Sequence, residues 1–194
     1  LNKVDEYADF ASTIPGGANF DVNERDSLTY VAAERVYMRG ETADARNSFI
    51  RYLQTFPEGA FSLNANYYIG LIDYNQQNYA SAAPYLNKVL EYPNNKYSEE
   101  AMMMSAEIAY IAKDYVQSLE WYKLLKDRAS TPERRQIAAT GMLRSAAMSG
   151  NGEETILAAT AVLADAKVAP ELESEARYYR SKALVEANQL AHAV

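Results

Sequence analysis

Two glutamates, Glu34 and Glu107, are the residues of this chain whose type best suits proton transfer. Acid–base chemistry by a carboxylate needs a second carboxylate or a metal converging on the same closed pocket. No such partner is readable at a useful spacing, so an enzyme using Glu34 or Glu107 ranks last of the readings below. Other carboxylates pair up at 99–100 and 153–154. They fall in the first turns of expected helices, where negative charge complements the helix dipole. There is no cysteine, which excludes disulfides, thiolate metal sites and cysteine nucleophiles. The one histidine, His192, lacks a ligand partner at metal spacing and is assigned to surface or packing. GNG at 150–152 reads as a helix-to-helix turn, since a phosphate loop would follow a strand. DVNERD at 21–26 has the alternating polar groups of a calcium loop. It lacks the glycine at the sixth place and has Ala32 where the bidentate glutamate belongs. The better reading is a solvated loop with Asp26 capping the next helix. The sequence thus implies no catalytic residues, no cofactor and no metal.

The elements that must carry these residues are helical. Alanine, tyrosine, leucine and glutamate dominate, with eight Gly, six Pro and few β-branched runs. Nineteen basic residues against 26 acidic ones give a formal charge of −7. Without a Lys/Arg cluster, that balance excludes a nucleic-acid footprint. The longest mostly apolar run, TILAATAVLA at 155–164, is about half the roughly 20 residues of a membrane span, so no membrane insertion is expected. The chain starts at Leu1 without Met, which would fit a targeting segment removed before this numbering.

One segment recurs. RGETADARNSFIRYLQTFP ends at Pro57, QQNYASAAPYLNKVLEYP at Pro93, AKDYVQSLEWYKLLKDRASTP at Pro132 and SGNGEETILAATAVLADAKVAP at Pro170. In each, a Gly, Asn or Asp turn precedes a small residue and then apolar positions at helical spacing. The small residues are Ala45, Ala82, Ser118 and Thr155, spaced 37, 36 and 37 apart. A helix–turn–helix unit of this period, with small sites and a late proline, resembles the tetratricopeptide repeat. The resemblance implies an all-α, right-handed solenoid of antiparallel helix pairs. It contains about four units, near 26–60, 61–97, 98–133 and 134–171, with partial units at 1–15 and 172–194.

In the best copy, Gly70 and Ala82 are the small sites of the first and second helix, and Leu86 and Val89 form the inner stripe. The equivalent sets are Ala33, Ala45, Phe49 and Tyr52; Ala106, Ser118, Tyr122 and Leu125; and Leu143, Thr155, Ala159 and Val162. Small residues let paired helices approach closely, so Gly70→Leu should force them apart. Pro84 lies near the start of its helix and should bend it without breaking it. MMM at 102–104 should place two of its three methionines in the core. The pattern departs from the family at Asp73, where an aromatic is usual, and at Thr155 and Ala159. The chain starts and stops within a repeat: NKVDEYADFASTIP matches a second helix, and the copy beginning at SEARYYRSKALVEANQLAHAV stops inside its second helix. Between Pro15 and Asp26 a longer loop is expected, with turns at Gly16 and Gly17 and Phe20 tucking back.

In that register, three positions of each first helix face the concave groove of the superhelix. They are Tyr30, Glu34 and Tyr37; Tyr67, Leu71 and Tyr74; Met103, Glu107 and Tyr110; and Arg144, Tyr178 and Lys182, with Thr140, Ala147 and Val185 between. Tyrosine gives large contact area with a hydroxyl handle and is enriched where proteins bind proteins. Charge changes along this set from acidic (Glu34, Glu107) to basic (Arg144, Lys182). Co-chaperone members of the family clamp a carboxylate with cations and amides where Glu34 and Leu71 stand here, so a chaperone-tail ligand is not expected.

Residues 49–102 are similar to repeats of bacterial envelope members of the family, of the tol-pal accessory and outer-membrane assembly lipoprotein type. The likeness rests on Phe56-Pro57, Asn64 to Gly70 and Tyr79 to Ala82. It implies a periplasmic or outer-membrane-associated scaffold, with a cytoplasmic one as the alternative. The expectation is a non-catalytic scaffold that binds a protein or peptide in the tyrosine-rich groove. The alternative is a structural spacer within a larger envelope protein.

Overall fold

The computed structural model describes residues 3–15, 20–92, 94–165 and 167–192, without the side chains of Asp5, Ala8 and residues 189–192. Gly16, Gly17, Pro93 and the His192 side chain, singled out above, lie outside the described residues. The described residues form helices and no strand: α1 (Val4–Thr13), α2 (Val22–Met38), α3 (Thr42–Thr55), α4 (Ser62–Asn75), α5 (Tyr79–Leu90), α6 (Ser98–Ile111), α7 (Tyr115–Arg128), α8 (Pro132–Ser149), α9 (Gly152–Leu163) and α10 (Pro170–His192). They divide into two compact units, Leu1–Tyr97 and Ser98–Val194. Within each unit every helix packs against the next one in sequence.

The helix ends follow local chemistry. Asp21 accepts from the backbone N–H groups of Asn23 and Glu24, and the Glu24 carboxylate accepts from Asp21 N–H at 2.8 Å. That reciprocal capping box starts α2 at Val22, earlier than the sequence reading placed it. Asp26 does not cap the helix. It is buried one turn inside, accepting from the Tyr52 hydroxyl at 2.5 Å and Ala60 N–H at 2.7 Å, and so pins the α3–α4 connection. Phe20 does tuck back, its ring centroid 5.9 Å from that of Tyr7. Thr131 caps α8 with Pro132 in its first turn, and Asn151 caps α9. Gly150 closes α8 at φ 74°, so GNG is a helix-to-helix turn.

Burial follows the repeat. The small sites Ala33 and Ala45, Gly70 and Ala82, Ala106 and Ser118, and Thr155 are buried, as are Phe49, Tyr52, Leu86, Val89, Tyr122, Leu125, Leu143, Ala159 and Val162. A Cβ at Gly70 would stand 2.8 Å from Leu86 Cδ2, which shows how closely α4 and α5 approach. Ser118 donates to the Ala106 carbonyl at 2.9 Å and bonds Ser145 at the same distance, so the polar small sites of α7 and α8 satisfy each other. Met102 and Met104 are buried and Met103 is half-buried. Pro84 lies inside an unbroken α5.

Asp73, out of place as an aromatic substitute, has a role of its own. Its carboxylate, 1 % exposed, accepts from Arg46 at 2.6 and 2.8 Å and from Ser81 Oγ at 2.8 Å, tying α3, α4 and α5 together. At the far end, α10 runs unbroken to His192, where the sequence reading expected a second helix to have begun. Helix formers occupy this stretch and no glycine or proline interrupts it.

Candidate functional site

The first helices of the pairs carry the proposed contact residues, and the two units use them differently. In unit 1 these are α2 and α4. Tyr30 is 2 % exposed and Tyr67 is 6 % exposed, so both rings pack inside. The Tyr30 ring stacks on Phe61 with centroids 4.4 Å apart and tilts against Phe49 at 5.9 Å. Its hydroxyl donates to Glu34 Oε1 at 2.8 Å and accepts from Asn64 Nδ2 at 3.3 Å. Burial, reinforced by Glu34, pushes that hydroxyl far above the ordinary tyrosine range. Tyr67 stacks on Tyr97 at 3.9 Å, while Tyr37 leans on Tyr68 at 4.8 Å. Tyr68 itself stacks on Phe49 at 5.2 Å, and burial pushes its hydroxyl up to about 12. Leu71 and Tyr74 are half-buried, Tyr74 meeting Tyr79 edge-on at 5.8 Å. Unit 1 has filled its first-helix face with aromatic rings.

In unit 2 the same face is open. A cavity of about 580 Å³ lies among α6, α8 and α10, with Tyr122 of α7 in its wall. Glu107, Tyr110 and Arg144 of the sequence-derived set line it, together with Thr140. Thr140 and Gly141 hold the places that Tyr67 and Tyr68 occupy on α4. Tyr122 stands 19 residues before Gly141, as Phe49 stands 19 before Tyr68. The Phe49–Tyr68 ring stack is therefore replaced by a ring on a glycine, and a Cβ at Gly141 would overlap the Tyr122 ring. The α8 face thus carries less ring volume at these two positions than the α4 face.

The charges in this cavity are organised. Arg144 donates Nε and Nη2 to the two oxygens of Glu175 at 2.9 and 2.8 Å, a bidentate pair bridging α8 and α10. That hydrogen bonding holds the Arg144 guanidinium above its ordinary value. The basic end expected of the groove is thus largely neutralised within the chain. Burial pushes the Tyr122 hydroxyl up to about 12, with Glu107 adding to the effect and Arg144 opposing it. Burial also raises Tyr110. These couplings place Glu107, Tyr110, Tyr122 and Arg144 in one electrostatic environment.

The remaining sequence-derived residues lie elsewhere. Met103 is half-buried on α6, Tyr178 is exposed beside Tyr179, and Lys182 is exposed with its Nζ 4.0 Å from Glu186. Gly141, Tyr122, Glu171 and Glu175 line or shape the cavity without having been singled out for it. For Glu175 a signal was present: it stands three residues before Tyr178, as Asn64 stands three before Tyr67, and both reach back to the preceding first helix. Among the described residues no cluster of His, Cys, Asp and Glu is arranged to hold a metal, and no helix is long and apolar enough to cross a membrane. No protein-family model matches the chain, and a search of curated proteins finds no match.

Proposed function

We propose that this chain is a non-catalytic scaffold that holds an extended segment of a protein or peptide partner against the first-helix face of unit 2. The observation that carries the reading is the cavity itself. Its volume of about 580 Å³ falls in the range of ligand pockets, and its wall combines tyrosine rings with a few convergent polar groups. Tyr110, Thr140 and Ile137 offer contact area and a hydroxyl edge at low entropic cost, as binding surfaces do. Arg144 and Glu175 are engaged with each other in an ion pair, which suits recognition better than proton transfer.

The periodic small sites further support tetratricopeptide-like pairs wound in the right-handed sense of that family. The likeness of residues 49–102 to envelope repeats supports a scaffold of the bacterial cell envelope, periplasmic or associated with the outer membrane.

The test is selection of displayed random peptides on the immobilised chain, repeated with Thr140→Trp, which fills the cavity. Enrichment on the native chain that disappears with Thr140→Trp is the expected result. No enrichment, or enrichment indifferent to the substitution, sinks the reading. Fractionation of the native cells checks the compartment, and recovery in the cytosol overturns it.

A further inference from the structure

The lining of the unit 2 cavity carries three carboxylates, Glu107, Glu171 and Glu175, against the single guanidinium of Arg144. Counted formally, three carboxylates against one guanidinium give the lining a net negative charge, and Arg144 is held on Glu175 in a two-point pair. Tyr110 and Tyr122 stand in the same wall, with Ile137 and Leu172 supplying apolar contact. An acidic rim over tyrosine rings and aliphatic walls matches one kind of side chain in particular. A lysine or arginine buries its methylene stem on apolar surface and presents its cation to aromatic faces and carboxylates.

We propose that the cavity is the receiving site for a basic side chain, Lys or Arg, of the bound peptide segment. This rests on the scaffold reading above and specifies the partner's chemistry. An anionic group would meet the opposite situation: it would have to displace Glu175 from Arg144 and sit among the remaining carboxylates. Electrostatic complementarity sets partner choice in this way because the wrong sign is rejected as well as the right one attracted. The cavity has room for the whole side chain and parts of its neighbours. The flanking residues of the partner would therefore be apolar, lying against Ile137 and Leu172.

The probes are blocked pentapeptides Leu-Ala-X-Ala-Leu with X as Lys, norleucine or Glu, titrated into the full chain by amide chemical shifts. The Lys probe is expected to saturate with shifts on α6, α8 and α10. The norleucine probe, of similar length but uncharged, should bind at least roughly tenfold more weakly and the Glu probe not measurably, as charge complementarity requires. Glu171→Gln and Glu107→Gln should each weaken the Lys probe by about fivefold, the scale of a partly exposed charge pair. Thr140→Arg, which brings a cation into the cavity from its own wall, should abolish binding. Arg144→Gln releases Glu175 and should tighten it. Glu171 is exposed in the first turn of α10, so Glu171→Gln decides the matter even if a variant at half-buried Glu107 folds poorly. Equal affinity for the Lys and norleucine probes, indifference to Glu171→Gln, or loss of binding in Arg144→Gln overturns the proposal. Selected peptides that depend on the cavity yet carry no basic residue would also overturn it while leaving the scaffold reading intact.

Discussion

Unit 1 and unit 2 place the same kind of helix pair around different fillings. On α4, Tyr67 and Tyr68 close the first-helix face by stacking on Tyr97 and Phe49. On α8, Thr140 and Gly141 leave it open, and Tyr122 settles on the glycine. The backbone period is shared, and the filled first-helix face of α4 and the open one of α8 differ in ring volume at two adjacent positions. The helix-pairing sites differ as well: Leu143 stands on α8 where Gly70 stands on α4, and both are buried.

The most direct way to break this contrast is Tyr68→Gly, which gives α4 the residue of α8. It removes the ring that stacks on Phe49 and contacts Tyr37 and Tyr97. With the added cost of glycine in a helix, unit 1 should lose about 4 kcal/mol. Urea unfolding followed by circular dichroism measures the loss. Fluorescence of Trp121, the single tryptophan, reports on unit 2 and should keep its own transition. A loss below about 1 kcal/mol would mean that the Tyr68 ring does not close the face.

Unit 1 also relies on buried charge. Asp73→Ala would leave Arg46 without its two-point partner and Ser81 without its acceptor. Removing one member of such a pair costs about 3 kcal/mol, and the retained quarter exposure of Arg46 keeps the figure at the lower end. Gly70→Leu should cost about 2 kcal/mol, since even its Cβ would meet the buried Leu86 side chain. An unchanged urea midpoint in either variant contradicts the packing described for α4.

These cases also show what could be read in the sequence. The helix pairs, the buried small sites and the two core methionines follow from periodicity, which is a property of neighbours along one chain. The aromatic positions of the first helices were legible as a set. Whether each ring points outward or packs inward was not, because Tyr30 and Tyr67 are buried by rings from Phe61 and Tyr97, distant in sequence or beyond the helix end. Asp26 misled for a related reason. As a residue type it suits a cap, but Asp21 with Glu24 forms the box, and Asp26 is committed to Tyr52 and Ala60. The cavity was hidden most deeply, since Gly141 inside a helix reads only as a weak spot until Tyr122 is found on it.

Alkaline titration sharpens the contrast further. Buried tyrosine hydroxyls in the folded chain ionise later than in the unfolded chain, where the value is near 10. A raised folded value means stability that is complete below about pH 10 and is lost as pH climbs through the folded value. For Tyr122, with its hydroxyl at about 12, the loss reaches about 3 kcal/mol. Unit 1 carries Tyr30, Tyr52 and Tyr68, all raised chiefly by burial, so its loss should be greater. Circular dichroism should therefore decline at a lower pH than Trp121 fluorescence changes. The reverse order would show that the ring stack of unit 1 is less sealed than the cavity wall of unit 2.

The smallest effect is expected at two lysines on second helices. Lys88 Nζ donates to both oxygens of Glu91 at 3.0 and 3.2 Å within α5 and its end, on exposed surface. Lys123 Nζ joins Glu120 at 3.2 Å and Glu154 at 2.8 Å, linking α7 to α9. The Lys123 contact spans two helices and is about one-third exposed, so Lys123→Ala should cost about half a kcal/mol of stability. Lys88→Ala should leave the urea midpoint where it is. Neither residue lines the unit 2 cavity, and solvent and salt screen exposed charges. Affinity for the Lys probe should then stay within about twofold in both variants. A larger gain on removing Lys123, matched by an equal gain for the norleucine probe, would move the binding surface from the first-helix face to the second helices. A gain confined to the Lys probe would instead show that the field at the cavity reaches through the helix pair.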